Sequence, residues 1–165
     1  TYPWMDYFFK DSADQYRKTH LEEGLRVIPY MACVDEFQHE VYAQKMTDTD
    51  KRYQLWHALE EKYMPWRDYD GDPFLEAGGF WMQKQHIFMC PFYYIDYSLA
   101  SMGALEYYIR SIDDRETAWK DYFRLCSLGG SKGYFELLKE GHLSNPFKAG
   151  TVEHIMKVLK EKVLQ

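Results

Sequence analysis

Residues 78–100 read Gly-Gly-Phe-Trp-Met-Gln-Lys-Gln-His-Ile-Phe-Met-Cys-Pro-Phe-Tyr-Tyr-Ile-Asp-Tyr-Ser-Leu-Ala. The glycine pair frees the backbone, which permits a mobile loop or a close approach to a ligand. Pro91 suits the first position of a helix, where its missing N–H costs no hydrogen bond. Tyr94 and Tyr97 then lie three residues apart, so we predict that their hydroxyls leave one face of that helix.

A histidine and three tyrosines make this stretch a candidate site. Phenol O–H and imidazole N–H groups beside a loop can stabilise a developing negative charge. However, the chain has 15 Tyr and is 18% aromatic, so packing in or around the core is the alternative for Tyr93, Tyr94 and Tyr97. For His86 the alternative is a structural histidine. The residue types alone leave both interpretations open.

The composition is typical of a soluble globular protein. The 165 residues suffice for one ordinary domain, and 46% of them are hydrophobic while 28% are charged. The net charge of −6, from 20 basic and 26 acidic side chains, argues against a nucleic-acid-binding surface. No run of about 18 apolar residues is present, so we expect no membrane partner.

The three cysteines, Cys33, Cys90 and Cys126, form no Cys-x-x-Cys motif and are odd in number. This pattern argues against a disulfide scaffold. We expect each cysteine to be buried as a small hydrophobic residue, which suits a reducing cytoplasm. The chain has no signal-peptide pattern. It starts at Thr1 in a run of large aromatic residues and without an initiator Met, which predicts a piece of something longer.

Helical periodicity runs through the whole chain, and no convincing strand pattern interrupts it. The predicted helices cover residues 11–44 with a break at Pro29, 50–63 after cap residues 47–50, about 80–89 and 91 to about 112 (one kinked helix or two), 115–128, 131 to about 141, and 151 onward. Asp113 and Asp114 can cap the helix over 115–128, which Gly129-Gly130 can close, and Ser131 can cap the next helix. The prediction is an all-α multi-helix bundle, a single helical region over residues 1–165.

Two patterns are compatible with metal binding. The loop from Asp68 to Asp72 has acidic residues at alternate positions, but Gly79 stands where a calcium loop has its twelfth-position Glu. Helix-capping aspartates are the preferred interpretation of this loop. Glu36 and His39 lie on one helix face as in di-metal carboxylate bundles, but a second copy is missing, so an ion pair is preferred. No His-Glu-x-x-His, nucleophile-elbow or phosphate-loop motif is present.

Several motifs together carry a family resemblance. They are Pro3-Trp4-Met5-Asp6, Ile28-Pro29-Tyr30, Val34-Asp35-Glu36-Phe37-Gln38-His39, Tyr63-Met64-Pro65-Trp66-Arg67-Asp68-Tyr69, Gly78-Gly79-Phe80-Trp81, His86-Ile87-Phe88, Pro91-Phe92-Tyr93-Tyr94-Ile95-Asp96-Tyr97, Arg124-Leu125-Cys126 and Gly129-Gly130-Ser131-Lys132. In this order, and over essentially the whole chain, they resemble the later catalytic-domain region of oligoendopeptidase F. The broader family is that of the zinc oligopeptidases, which includes thimet oligopeptidase.

The resemblance implies a largely helical fold with a deep channel that admits short peptides. It also implies a zinc ion held by the two histidines of a His-Glu-x-x-His helix and by a Glu on a following helix, with the motif's own Glu as general base. None of these residues is present in this chain. The resemblance therefore implies a C-terminal fragment that starts shortly after the third zinc ligand. We expect zinc in the parent enzyme, none on this chain alone, and the missing N-terminal part as a partner.

The resemblance also implies which residues form the remaining half of the site. His86 takes the place of the family's substrate-contacting histidine, while Tyr94 and Tyr97 keep the spacing of the tyrosine pair that stabilises the oxyanion. We expect these three residues to be catalytic. The expected substrate-binding residues are Gly78, Gly79 and Tyr93. The interval from His86 to Tyr94 is one residue shorter than in the thimet-type pattern, so Tyr93 is a rival for the oxyanion contact.

The function implied by the resemblance is hydrolysis of short peptides by a cytoplasmic zinc metalloendopeptidase. In it, this chain would supply the oxyanion-stabilising and substrate-binding half of the site. Alone it is expected to be inactive, because the His-Glu-x-x-His motif is missing. The alternative is a stand-alone helical module that binds peptides without cutting them.

Overall fold

Residues 4–163 are described by a computed structural model, and they contain α-helices, short 3-10 turns and no β-strand. The α-helices are α1 (Met5–Phe9), α2 (Ala13–Ala43), α3 (Thr49–Tyr63), α4 (Pro73–Glu76), α5 (Gln85–Met89), α6 (Ile95–Asp113), α7 (Arg115–Leu128), α8 (Tyr134–Glu140) and α9 (Thr151–Val163). The predicted all-α multi-helix fold is confirmed. Thr1, Tyr2 and Pro3, the last of which belongs to the first family motif, lie outside the described residues.

The chain forms two compact units, which we call unit 1 (Thr1–Ser98) and unit 2 (Leu99–Gln165). Helix α6 begins in unit 1 and continues as the first helix of unit 2. The single helical region over residues 1–165 stays a prediction, because two compact units do not by themselves define domains. Among the described helices, none combines the length and the apolar character needed to cross a membrane.

The core of unit 1 is built mainly from α2, α3 and the segment between α3 and α6. Its buried members are Tyr30, Met31, Cys33, Val34, Phe37, Trp56, Leu59, Met64, Trp81, Ile87 and Tyr94. The ring of Phe37 meets that of Trp56 edge to face at a centroid distance of 5.2 Å, an arrangement that the ring quadrupoles favour. Both side chains are almost fully buried. Large interlocking rings therefore fix how α2 and α3 pack.

Pro29 does not break α2, so the predicted break is wrong. The helix runs from Ala13 to Ala43 with Pro29 inside it. A proline within a helix removes one backbone hydrogen bond and crowds the preceding turn. The next two residues, Tyr30 and Met31, are buried in the core of unit 1, and their burial on one continuous helix offsets that cost.

Two helix boundaries follow the predicted signals. Asp48 caps α3 by accepting hydrogen bonds from the backbone N–H groups of Asp50 and Lys51, at 2.9 and 3.3 Å. Asp114 caps α7 in the same manner, and Gly129 ends that helix at φ +52°. These signals were sufficient because each depends only on residues within a few positions of the helix end.

Two other predicted boundaries are wrong. Pro91 lies in a turn, and α6 starts only at Ile95. Ser131 does not cap α8, because the helix begins after Gly133, whose N–H donates to Glu136 Oε2 at 3.2 Å. In both cases the helix begins a few residues later than predicted, α6 at Ile95 and α8 at Tyr134.

The cysteines differ from the expectation of uniform burial. All three are free. Cys33 is completely buried in the core of unit 1, and burial raises the pKa of its thiol to about 12. Cys90 and Cys126 are exposed, because Cys90 lies in the turn after α5 and Cys126 on the outer side of α7. Their predicted burial is wrong.

In unit 2 a buried carboxylate connects three segments. Asp121 on α7 accepts a hydrogen bond from Arg110 on α6, and His142 Nδ1 lies 3.0 Å from its other oxygen. The hydrogen bond from Arg110 is the main reason that the pKa of Asp121 is lowered. Tyr107 on α6 donates to the carbonyl oxygen of Gly141 at 2.8 Å. These polar contacts hold α6, α7 and the end of α8 together.

Substitution of Gly78 tests the tight packing in unit 1. Gly78 has φ +95°, and a Cβ there would lie 2.2 Å from the carbonyl oxygen of Tyr53. We expect Gly78→Ala to lower the free energy of unfolding by about 2 kcal/mol or more, measured by urea denaturation. Gly24→Ala, in α2 where the added Cβ would meet no atom within 4 Å apart from its chain neighbours and the backbone of its own helix, should raise it by about 0.5–1 kcal/mol. Equal stability of the two variants would contradict the packing described for Gly78.

Candidate functional site

Residues 90–94 connect α5 to α6 and carry two of the predicted tyrosines. The N–H of Tyr93 donates to the carbonyl oxygen of Cys90 at 3.2 Å, and the N–H of Asp96 donates to that of Tyr93 at 3.1 Å. Tyr94 lies before the first residue of α6. The prediction that the hydroxyls of Tyr94 and Tyr97 project from one face of the same helix is therefore wrong, because only Tyr97 lies on the helix.

This turn is attached to α2 by the buried amide of Gln38, a motif residue to which the sequence analysis assigned no role. Gln38 Oε1 accepts from the N–H of Phe92 at 3.0 Å, and its Nε2 donates to the carbonyl oxygen of Val34 at 3.2 Å. Phe92 has φ +65°, which is uncommon for a residue other than glycine. Its ring lies 4.8 Å from that of His39 and 5.1 Å from that of Tyr42. The sequence signal that could have identified Gln38 is its polar amide, which lies one helical turn after Val34 on the apolar side of α2.

His86, Tyr93, Tyr94 and Tyr97 form one group of rings, which we call the His–Tyr cluster. The His86 ring centroid lies 4.8 Å from that of Tyr94, 5.8 Å from that of Tyr97 and 6.4 Å from that of Tyr93. The Tyr97 ring lies 5.3 Å from Tyr93 and 5.4 Å from Tyr94. The structure thus brings together the four ring-bearing residues selected from the sequence, although the geometry alone does not assign their roles.

The three tyrosines differ in burial. Tyr94 is only 8% exposed and meets the core residue Tyr30 edge to face at 5.9 Å. Tyr93 and Tyr97 are 46% and 40% exposed. A hydrogen bond with the Tyr93 side chain is the main cause that raises the pKa of Tyr97. Tyr93 and Tyr97 are therefore the members of the cluster most accessible to a ligand.

His86 has an unusual environment. Its side chain is partly buried, and Nδ1 is shielded from solvent without a hydrogen-bond partner. Buried ring nitrogens are normally hydrogen-bonded. Because Nδ1 is enclosed, a hydrogen bond from His86 to a ligand would have to involve Nε2.

The two predicted glycines are buried close to other parts of unit 1. Gly78 approaches the backbone of Tyr53 on α3, and a Cβ on Gly79 would lie 2.5 Å from the ring of Phe74. The close approach that glycine permits is made to the protein itself. A role of Gly78 and Gly79 in substrate binding stays a prediction.

The two patterns compatible with metal binding have other partners. Lys62 Nζ lies 2.8 and 2.6 Å from the two carboxylate oxygens of Glu36, and Tyr63 donates a hydrogen bond to the same group. The hydrogen bond from Lys62 is the main reason that the pKa of Glu36 is lowered. His39 Nε2 instead lies 3.5 Å from Asp35. Glu36 is therefore in an ion pair, but with Lys62 and not with His39.

The acidic loop is a turn followed by a helix cap. Asp68 accepts from the N–H of Asp70 at 2.9 Å, and Asp72 accepts from the N–H groups of Phe74 and Leu75, both at 3.0 Å. This confirms the capping interpretation. Across residues 4–163, no group of three or more His, Cys, Asp or Glu side chains is arranged to hold a metal ion. The side chains of this part of the chain thus do not fit the zinc ion that the resemblance implies.

Removal of the Gln38 amide tests the attachment of the turn. We expect Gln38→Leu to lower the free energy of unfolding by about 1–3 kcal/mol, because the Phe92 N–H loses its acceptor, and to speed hydrogen exchange at that N–H. Gln44→Leu is a matched control, because Gln44 is exposed and, among the described residues, its side-chain amide bonds only to Glu40 in the last turn of α2. Unchanged exchange at Phe92 in Gln38→Leu would show that the amide does not hold the turn.

Comparison with known proteins gives structural matches. No family model and no curated protein matches the chain. A crystal structure of a protein assigned as an oligoendopeptidase F matches with 43% sequence identity and a TM-score of 0.92. PZ peptidase A with an inhibitor matches with 44% identity and a TM-score of 0.92. A protein from Bacillus anthracis assigned as an oligoendopeptidase F matches with 36% identity and a TM-score of 0.77.

Each match covers 97% of this chain. The chain spans 28%, 28% and 25% of the three solved chains, which is about a quarter of their length. Over this segment, both the sequence and the backbone of this chain are similar to those of the three solved structures. The resemblance seen in the motifs is thus confirmed. Over nearly its whole length, the chain matches a C-terminal part of oligoendopeptidase F structures.

Proposed function

We propose that the chain is part of a zinc metalloendopeptidase that hydrolyses short peptides, and that it supplies the oxyanion-stabilising and substrate-binding side of the active site. The observation that carries this proposal is the convergence of His86 with three tyrosines in one cluster. The peptidase names of the matched structures, one of them with an inhibitor, support it.

The proposed catalytic residues are His86, Tyr94 and Tyr97. Peptide hydrolysis passes through a tetrahedral intermediate whose oxygen carries negative charge, and fixed hydrogen-bond donors lower the barrier to it. Tyr97 suits this role because its phenol is exposed and its ring lies 5.8 Å from that of His86. Nε2 of His86 is the second candidate donor. The largely buried Tyr94 packs against the rings of His86 and Tyr97 and is the third candidate donor.

The proposed substrate-binding residues are Tyr93, Gly78 and Gly79. Tyr93 is the most exposed ring of the cluster, which suits contact with a peptide backbone. For the zinc ion of the proposed enzyme, the described residues offer no ligand set. We therefore place its ligands in a part of the enzyme outside this chain, and the proposed roles of the cluster involve no metal-bound species.

The second candidate function is a stand-alone helical module that binds peptides without hydrolysis. The observation that favours it is the exposure of Tyr93 and Tyr97 beside a partly buried imidazole, since aromatic rings with polar tips bind peptides well. Location in the cytoplasm stays a prediction under either proposal.

Conversion of Tyr97 to Phe in the full-length protein tests the catalytic role. We expect Tyr97→Phe to lower kcat by roughly 10²–10³ with a smaller effect on KM, because the hydroxyl acts mainly in the transition state. Tyr94→Phe should lower kcat less. Tyr7→Phe is a matched control, because Tyr7 is 77% exposed in α1. An unchanged kcat in Tyr97→Phe would remove this residue from the proposed mechanism.

The isolated 165-residue chain tests whether the zinc ligands lie outside this chain. Native mass spectrometry and peptidase assays should find neither stoichiometric zinc nor hydrolysis for the chain alone. The full-length protein should show both, and a chelator should abolish its activity. Hydrolysis by the isolated, metal-free chain would contradict the proposal that the metal ligands lie elsewhere. Binding without hydrolysis in the full-length protein would favour the second candidate function.

A further inference from the structure

Lys84 lies beside the His–Tyr cluster and was not selected from the sequence. It directly precedes α5, two residues before His86. Its Nζ is 4.9 Å from the ring centroid of Tyr94 and 5.1 Å from that of Tyr30. A cation within about 6 Å of an aromatic face is attracted by the ring. The ammonium group is therefore held between a core ring and a ring of the cluster.

Lys84 differs from the other lysines of unit 1. Those lysines are exposed: Lys10, Lys18, Lys45, Lys51 and Lys62. Lys84 is partly buried, and within residues 4–163 its ammonium group makes ring contacts only, without an ion pair or a hydrogen bond. Ring contacts compensate only in part for lost hydration. A carboxylate would compensate further for the lost hydration of the ammonium group, since hydrogen bonds between charged groups are stronger than those between neutral groups.

A peptide substrate carries such a carboxylate at its C-terminus. The chain as a whole has a net charge of −6, so an anionic group needs a local cation to bind at this site. Lys84 Nζ and the His86 ring both lie within 5 Å of the Tyr94 ring. One peptide residue spans about 3.3–3.6 Å, so a carboxylate at Lys84 would lie only a few residues from a bond held at the cluster.

We propose that Lys84 binds the C-terminal carboxylate of short peptides and so makes the site selective for peptides with a free C-terminus. This inference rests on the proposed function and deepens it by naming the substrate feature that the site recognises. Lys84 acts as a specificity-determining residue: it binds the end of the peptide, while the cluster contacts the interior.

The test compares two probes that differ only in the C-terminal charge, acetyl-trialanine and acetyl-trialanine amide. Dissociation constants are measured by NMR titration of the full-length protein. Unmodified protein should bind the acid about tenfold more tightly than the amide. Lys84→Met should abolish this preference and leave amide binding within about twofold, whereas Lys84→Arg should retain it. Lys51→Met, an exposed lysine on α3, should behave like the unmodified protein.

Two results would overturn the proposal. One is equal affinity of the unmodified protein for acid and amide, a measurement that needs no variant and so does not depend on whether Lys84→Met folds. The other is equal weakening of both probes in Lys84→Met, which would mean that Lys84 only supports the Tyr94 ring. Hydrolysis is assayed separately on longer peptides. Its absence contradicts the proposed peptidase function, whereas missing acid–amide discrimination contradicts only the role of Lys84.

Discussion

The side-chain amide of Gln38 ties the turn before α6 to the middle of α2. A buried amide is tolerated only when its polar atoms are hydrogen-bonded, and Gln38 meets this requirement through Val34 and Phe92. The turn cannot shift without leaving a buried acceptor or the Phe92 N–H unpaired. One amide thus connects the longest helix of unit 1 to the turn that precedes α6.

Tyr94 shows that core packing and a functional site are not exclusive interpretations. Its ring belongs to the buried core of unit 1 and also contacts His86 and Tyr97. A ring fixed by the core holds its neighbours in defined positions, and pre-positioned donors stabilise a developing charge better than mobile ones. The core of unit 1 therefore extends directly into the candidate site. Its rigidity is a property that the proposed chemistry requires.

Local signals in the sequence predicted the parts of the fold that local chemistry determines. The caps at Asp48 and Asp114 and the all-α class were predictable, because each depends on neighbouring residues or on periodicity. Pro29 and Pro91 gave wrong boundaries because burial and long-range contacts outweighed their local preferences. In the candidate site, motif resemblance found the four ring residues. The motifs also contain Gln38 and Phe92, but their hydrogen bond could not be predicted, because the two residues lie 54 positions apart in the chain.

The contrast between the cysteines has a practical consequence for labelling. Burial and a thiol pKa of about 12 leave Cys33 un-ionised and inaccessible to alkylating reagents at neutral pH. Cys90 and Cys126 are exposed, and Cys90 lies between His86 and Tyr93 in the chain. An environment-sensitive fluorophore attached to the natural Cys90, with Cys126 replaced by Ser, would therefore report ligand entry at the His–Tyr cluster without an engineered attachment point.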